Sequence, residues 1–332
     1  MRLAINGFGR IGRTFLRLAL AEGFDVVAIN DLADAKTMAH LFKYDSVHGV
    51  HASEVFAKPD AIVIDKKMIP VFAIKDADEL PWSALRVDLV VDCTGKNLSV
   101  EAAEKHLSAG ANQVLISAPA ADEIPMLVLG VNDDQIDLTS PILSNASCTT
   151  NNIAPMIKIL NDNWGVEEGY ITTIHSMTGD QNLHDSNHKD LRRARAASSS
   201  IIPTTTGAAK AITHIFPELE GRLGGAGIRV PVLNGSLTDF TCLLKNKTTI
   251  EEINAAFKQA SENELKGILE YTEDPIVSVD IIDNPNSCTF DSLLTSIVGD
   301  MVKVVGWYDN EYGYSSRLID VVKKIKSLRD SA

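Results

Sequence analysis

MRLAINGFGRIGRTFLRLALAEGFDVVAIND, residues 1–31, decides the fold of the first half of this chain. A short apolar run at 2–6 has strand character, and apolar residues then recur at helical spacing over 10–21. A second apolar run at 25–30 ends on Asp31. Between the first strand and the helix, Gly7, Gly9 and Gly12 form G-x-G-x-x-G. Glycine is needed there for a tight turn, for close approach of backbone to a pyrophosphate, and for helix–strand packing. The helix start behind such a turn offers unpaired N–H groups and a positive dipole end to phosphates. Asp31 follows Gly12 at about the spacing where an acid meets the ribose hydroxyls of a dinucleotide. A carboxylate there favours NAD over NADP, whose 2′-phosphate it would repel.

The same alternation continues outward from this unit. Strands are expected at 87–92, 113–116 and 126–131, with a helix over 100–109 behind Ser99. Strands alternating with helices predict a Rossmann-type parallel sheet. Beyond about residue 148 the character changes. A helix is expected over 149–161, and longer strands over 168–175, 226–233, 238–244, 276–280 and 301–308. Helices at 206–215 and 250–261 complete an α+β region with a mostly antiparallel sheet, and a helix over 317–328 closes the chain. The expected division is therefore 1–148 with 314–332 as an α/β dinucleotide-binding domain, and 149–313 as a catalytic domain. Residues 177–200 are polar and too long for an ordinary connection, which points to function.

Composition narrows the class. The net charge of −13 argues against a dedicated nucleic-acid binder, which depends on excess Lys and Arg. No run approaches the ~18 apolar residues of a membrane span. The first residues enter a strand without the regions of a secretory leader, so a cytoplasmic protein is expected. The four cysteines lack CxxC spacing, so neither a disulfide framework nor a metal site is expected. Cys93, Cys242 and Cys288 lie in or beside strands and read as inert buried thiols. Cys148 differs: it lies among Ser147, Thr149, Thr150 and Asn151 and opens a helix. A thiol at a helix N-terminus is expected to have a lowered pKa.

SNASCTTN at 144–151 joins INGFGRIGR at 5–13, TTIHSMTGDQ at 172–181, IIPTTTGAAKA at 201–211 and WYDNEYGYS at 307–315. Together, over essentially the whole chain, they resemble the phosphorylating glyceraldehyde-3-phosphate dehydrogenase family, with erythrose-4-phosphate dehydrogenase as a close relative. The resemblance implies Cys148 as nucleophile on an aldehyde and His175 as its base. It implies a thioester that inorganic phosphate converts to an acyl phosphate, 1,3-bisphosphoglycerate when glyceraldehyde 3-phosphate is the substrate. Thr178 and Arg229 would hold the substrate phosphate, and Ser147, Thr149, Arg193, Thr206 and Gly207 the attacking phosphate. For NAD the resemblance adds Arg10, Ile11, Lys75, Ser117 and Asn310 to the glycines and Asp31. It also implies a homotetramer.

Departures are few. Asn152 stands where the family commonly has a second cysteine, and Tyr312 where it has Trp. Leu32 agrees with NAD, whereas Ser186 and Asn187 occupy positions that are small and polar in dual-cofactor members. A hydrolytic aldehyde dehydrogenase would lack TTTGAAKA, and a non-catalytic nucleotide-binding regulator would be expected to lose Cys148 or His175.

Overall fold

The structure, a computed structural model, describes residues 1–331. Its residues divide into two units. One comprises 1–127, 134–146 and the chain from 315 on, and the other 128–133 and 147–314. The sequence reading put the division after Cys148; Ser147 and Cys148 instead go with the helix they begin.

The first unit opens with β1 (Arg2–Asn6), α1 (Arg10–Ala21), β2 (Asp25–Asn30) and α2 (Ala35–Lys43). After a two-residue pairing of β3 (Tyr44–Asp45) with β4 (Gly49–Val50) come β5 (Val55–Lys58), β6 (Ala61–Ile64) and β7 (Lys67–Phe72). Then follow α3 (Trp82–Leu85), β8 (Leu89–Asp92), α4 (Val100–Ser108), β9 (Gln113–Ile116) and β10 (Ile142–Ser144). They form one sheet in the order β10-β9-β8-β1-β2-β7-β6-β5. It is parallel from β10 to β7, and β6 and β5 add an antiparallel edge. Leu3, Ala4 and Ile5 have no exposed surface, as expected of a strand covered on both faces. Burying each of the two larger side chains contributes about 1.5–3 kcal/mol. The chain reverses direction of travel at β1, with β2 on one side and β8 on the other, and ligands of such sheets bind at the carboxyl ends there.

A buried polar network holds the loops at this edge. Trp82 Nε1–H donates to His106 Nδ1 at 2.9 Å, so the imidazole proton sits on Nε2, 3.2 Å from Asp92 Oδ2. Asp92 also accepts from Asn6, from Asn97, and from the N–H and hydroxyl of Thr94. The turn after β8 is thereby tied to the end of β1.

The second unit begins with α5 (Cys148–Trp164) and β11 (Val166–Ser176). It continues with β12 (Ile202–Thr204), α6 (Ala208–Ile215), β13 (Leu223–Val230), β14 (Ser236–Leu244), α7 (Ile250–Glu262) and β15 (Leu269–Thr272). Then come β16 (Cys288–Asp291), β17 (Ser296–Val298), β18 (Met301–Tyr308) and α8 (Tyr312–Ser331), which runs on into the first unit. The sheet order is β12-β13-β11-β14-β18-β16-β15, with β17 beside β18. Its pairs are antiparallel except β11 with β13 and β15 with β16.

Two expected strands are absent. Over 126–131 only Met126 bridges to Ser144. Asn132 Oδ1 takes the Val128 N–H and Asp133 Oδ1 that of Gly130, which bends the chain out of strand pairing. Over 276–280 the Asp280 carboxylate takes the Val277 N–H at 2.7 Å, and a short 3-10 turn spans Ser278–Ile281. The strand expected at 226–233 runs instead from Leu223 to Val230. Among the described residues no helix is long and apolar enough to cross a membrane.

Candidate active site

The glycine turn is sterically required. Gly7 has φ +91°, and a Cβ on it would lie 2.7 Å from Thr94 N. A Cβ on Gly12 would lie 2.1 Å from the Gly7 carbonyl oxygen, whereas Gly9 faces open space. Gly9 precedes α1 and carries no side chain to cap it, so no capping group of its own stands at the positive end of this helix. That open, uncapped cradle fits a pyrophosphate.

Asp31 stands at the end of β2, where its carboxylate accepts from Phe8 N at 2.6 Å and Ala33 N at 3.0 Å. The Arg10 guanidinium is 2.6 Å from the Asp45 carboxylate. Burial pushes Asp45 up, but Arg10 and the His48 and Val47 N–H groups outweigh it and bring the carboxyl down to about 2. Lys75 is exposed beyond β7, and Ser117 follows β9 with its N–H on the Asp92 carbonyl at 2.9 Å. Since β1, β2, β7 and β9 run parallel, the sheet brings all these positions to one edge.

The second group of residues gathers around Cys148, the first residue of α5. Ser147 caps this helix, its hydroxyl accepting from Thr150 N at 3.0 Å. Sγ of Cys148 lies 3.4 Å from Nε2 of His175, near the end of β11. His175 Nδ1 is 2.8 Å from the Ser176 carbonyl, which can only accept, while the Arg229 guanidinium, which can only donate, lies against the same nitrogen; with its proton on Nδ1 the ring presents the Nε2 lone pair to the thiol. The parallel register of β11 and β13 sets Arg229 beside His175, and its Nη1 lies against Nδ1 and 3.2 Å from the Ser176 carbonyl. Tyr308 packs edge-on against the imidazole, and its hydroxyl bonds to Thr149 Oγ1 and Thr173 Oγ1, each at 2.9 Å.

Burial sets the charge states. It pushes the His175 imidazole down to about 3, and the neighbouring Arg229 cation adds to the shift. It pushes the Cys148 thiol above its ordinary value, with Arg229 and the Thr149 groups opposing. This corrects the expectation from the helix start alone: desolvation outweighs the groups that lower the thiol, and the resting pair is neutral. Ionising both together is a different matter. Moving the proton from Sγ to Nε2 creates opposite charges 3.4 Å apart, worth about 5 kcal/mol at an effective dielectric of ~20. Burial also holds Cys93 and Cys242 up at about 12 and raises Cys288, and none of the three has a histidine or arginine contact among the described residues.

The remaining anion-site candidates divide. Arg229 has Nε and Nη2 uncommitted among the described residues. Arg193 pairs with Asp180 through Nη1 and reaches Thr204 Oγ1 through Nε at 3.0 Å, which leaves Nη2. Thr178 gives its N–H to Gln181 Oε1 at 3.1 Å. Thr206 caps toward Ala208 N at 3.2 Å, and Gly207 begins α6. The Thr149 hydroxyl is turned to Tyr308 rather than to an open site. Asn310 accepts two serine hydroxyls, from Ser176 and Ser236. Tyr308, Asp180, Gln181 and Ser236 were missed in the sequence. Three lie inside the quoted motifs, but nothing local shows that their side chains turn toward the site.

The chain matches the family model described as glyceraldehyde 3-phosphate dehydrogenase, NAD binding domain, over residues 1–100, and the corresponding C-terminal domain over 147–310. It is 52% identical over 325 residues to glyceraldehyde-3-phosphate dehydrogenase 2 of Streptomyces avermitilis, covering 97% of each chain. It is likewise 52% identical over 329 residues to glyceraldehyde-3-phosphate dehydrogenase 1 of Bacillus cereus, covering 98% of each. The glyceraldehyde-3-phosphate dehydrogenase of Mycobacterium tuberculosis is 51% identical over 337 residues, with 99% of each covered.

Proposed function

The chain belongs to the glyceraldehyde-3-phosphate dehydrogenase family, and from that premise we propose that it oxidises glyceraldehyde 3-phosphate to 1,3-bisphosphoglycerate with NAD and inorganic phosphate. The observation that carries this reading is the Cys148 thiol at the start of α5, 3.4 Å from Nε2 of His175. Sγ adds to the aldehyde carbon as its proton passes to Nε2, which returns it to the forming alkoxide. His175 then takes the hydroxyl proton as the thiohemiacetal collapses to a thioester. Bound NAD supplies the hydride acceptor that makes this collapse an oxidation. A phosphate oxygen attacks the thioester carbonyl, the acyl–sulfur bond breaks, and Cys148 leaves as thiolate to recover a proton from His175. The covalent step divides one difficult reaction into two easier ones and retains the energy of oxidation.

Gly7, Gly9, Gly12 and the N–H groups of Arg10 and Ile11 would take the pyrophosphate, and Asp31 the adenosine ribose. Lys75 and Ser117 would add contacts from neighbouring strand ends, and Asn310 would take the nicotinamide carboxamide. Arg229 and Thr178 would hold the substrate phosphate. Ser147, Arg193, Thr206 and Gly207 would hold the attacking one, with Arg193 donating through Nη2, and Thr149 would join them by turning its hydroxyl away from Tyr308. Arginine suits both places because its planar fork matches phosphate oxygens. We read the chain as a cytoplasmic homotetramer on the family likeness. The large apolar side chains left exposed on the loop after β11, Leu183, Leu191 and Ile201, support subunit contacts there. A solution mass four times that of the chain is expected.

The deciding assay is NADH formation with each reactant omitted in turn. Turnover should need both glyceraldehyde 3-phosphate and inorganic phosphate; undiminished turnover without phosphate would refute the acyl-phosphate step. Erythrose 4-phosphate should be poorer by roughly 10–200-fold in kcat/KM per free aldehyde, the usual range for one carbon unit. A higher value for erythrose 4-phosphate would reverse the assignment.

NAD should also exceed NADP in kcat/KM. The Asp31 carboxylate is fixed by the Phe8 and Ala33 N–H groups and cannot swing away from a 2′-phosphate. Equal values for the two cofactors would remove Asp31 from the selectivity.

A further inference from the structure

Ser176 follows the proposed base directly, and each of its polar groups has a different partner. Its carbonyl accepts from His175 Nδ1 at 2.8 Å. Its N–H donates to Ser236 Oγ at 3.1 Å, and its hydroxyl donates to Asn310 Oδ1 at 2.8 Å. Ser236, at the start of β14, donates its own hydroxyl to the same Oδ1 at 2.8 Å. Ser176, Ser236 and Asn310 are all buried.

This arrangement leaves Asn310 one orientation. Two hydroxyl hydrogens converge on its amide, and Oδ1 has two lone pairs to receive them. Turning the amide over would put Nδ2 in that place and leave both buried hydroxyl protons without an acceptor, at about 1–3 kcal/mol each. Oδ1 is saturated, and Nδ2 has no partner among the described residues. The amide can therefore act on a ligand only as a donor.

We propose that Ser176 and Ser236 are positioning residues that lock Asn310 with its N–H groups toward the cofactor, so that it donates to the carboxamide oxygen of the nicotinamide and cannot accept from the carboxamide nitrogen. The proposal rests on Asn310 as the nicotinamide contact. A freely turning asparagine would take either end of the carboxamide and so tolerate two ring orientations. The locked one selects a single orientation. Ser176 also touches the His175 imidazole, but through its carbonyl, so removing its hydroxyl separates the two roles.

The test measures equilibrium binding of NAD and of ADP-ribose, which lacks the nicotinamide, to the whole protein, together with the rate of iodoacetamide labelling of Cys148. Ser236→Ala and Ser176→Ala should each weaken NAD roughly three- to tenfold, as for loss of one orienting hydrogen bond. ADP-ribose affinity and the labelling rate should stay at wild-type values, and Asn310→Ala should weaken NAD at least as much. If NAD and ADP-ribose weaken together in both serine variants, the role is merely structural and the proposal falls. Should Asn310→Ala weaken NAD while both serine variants bind it normally, the lock is refuted and the Asn310 contact stands. Unchanged NAD binding in Asn310→Ala would overturn the contact itself, and the lock with it.

Discussion

Cys148→Ser is expected to cost more than about a hundredfold in kcat, at least ~2.7 kcal/mol of barrier, while NAD binds as in the wild type. The reason lies in the acid–base balance of the pair. A neutral imidazole held down at about 3 is a weak base, so proton transfer from the thiol depends on the attraction between thiolate and imidazolium once formed. A hydroxyl starts several pKa units above a thiol, and the same attraction cannot close that gap. Alkylation separates the effect from misfolding: iodoacetamide should no longer inactivate the variant, and NAD titration should remain normal. Retention of more than about a hundredth of the wild-type kcat would remove Cys148 as nucleophile.

His175→Asn is expected to lower kcat by about 10²–10⁴-fold, the usual worth of a positioned acid–base group. The asparagine can keep a hydrogen bond to the Ser176 carbonyl but offers no lone pair basic enough for the thiol. Labelling of Cys148 by iodoacetamide should slow in parallel, and an unchanged rate across neutral pH would show that His175 does not activate it. Stability offers an independent reading. The folded His175 pKa is about 3 against an ordinary 6.5, so folding favours the neutral ring. That contribution is fully present above pH 6.5 and is lost as the pH falls toward about 3. Each pH unit in this window removes about 1.4 kcal/mol at most, because the unfolded chain binds one proton more. Between pH 7 and 5 the wild type should lose about 2 kcal/mol that His175→Asn retains, seen as a smaller shift of the variant's urea midpoint. Equal shifts would mean that the imidazole titrates alike in the folded and the unfolded chain.

The parallel sheet and the helix-opening cysteine were legible in the sequence because their signals are local. Periodicity over 2–30 fixes strand, turn, helix and strand, and Gly7 and Gly12 satisfy steric demands set by each other and by the adjacent strand end, while Gly9 leaves the helix start open. A run of polar neighbours at the start of a helix distinguished Cys148 from three thiols within or next to strands. The edge strands β5, β6 and β7 gave no such signal. Their β6–β7 turn is Asp65–Lys66, with φ of 46° and 70°, and lacks the Gly or Asn that normally marks a two-residue hairpin. The segment over 276–280 has the apolar alternation of a strand, yet one carboxylate on its own backbone bends it.

What only the tertiary structure decided depends on pairing between distant segments. Arg229 meets His175 because β11 and β13 align in parallel with those two residues opposite each other, a register that no local pattern encodes. The thiol pKa rises where the helix start by itself predicts a fall, because burial, a property of the packed unit, exceeds the lowering by Arg229 and the groups of Thr149. Asn310 likewise was marked by its motif as a ligand residue. The direction in which its amide points is set by two serine hydroxyls, 134 and 74 residues away along the chain, which share one oxygen only once the sheet has formed.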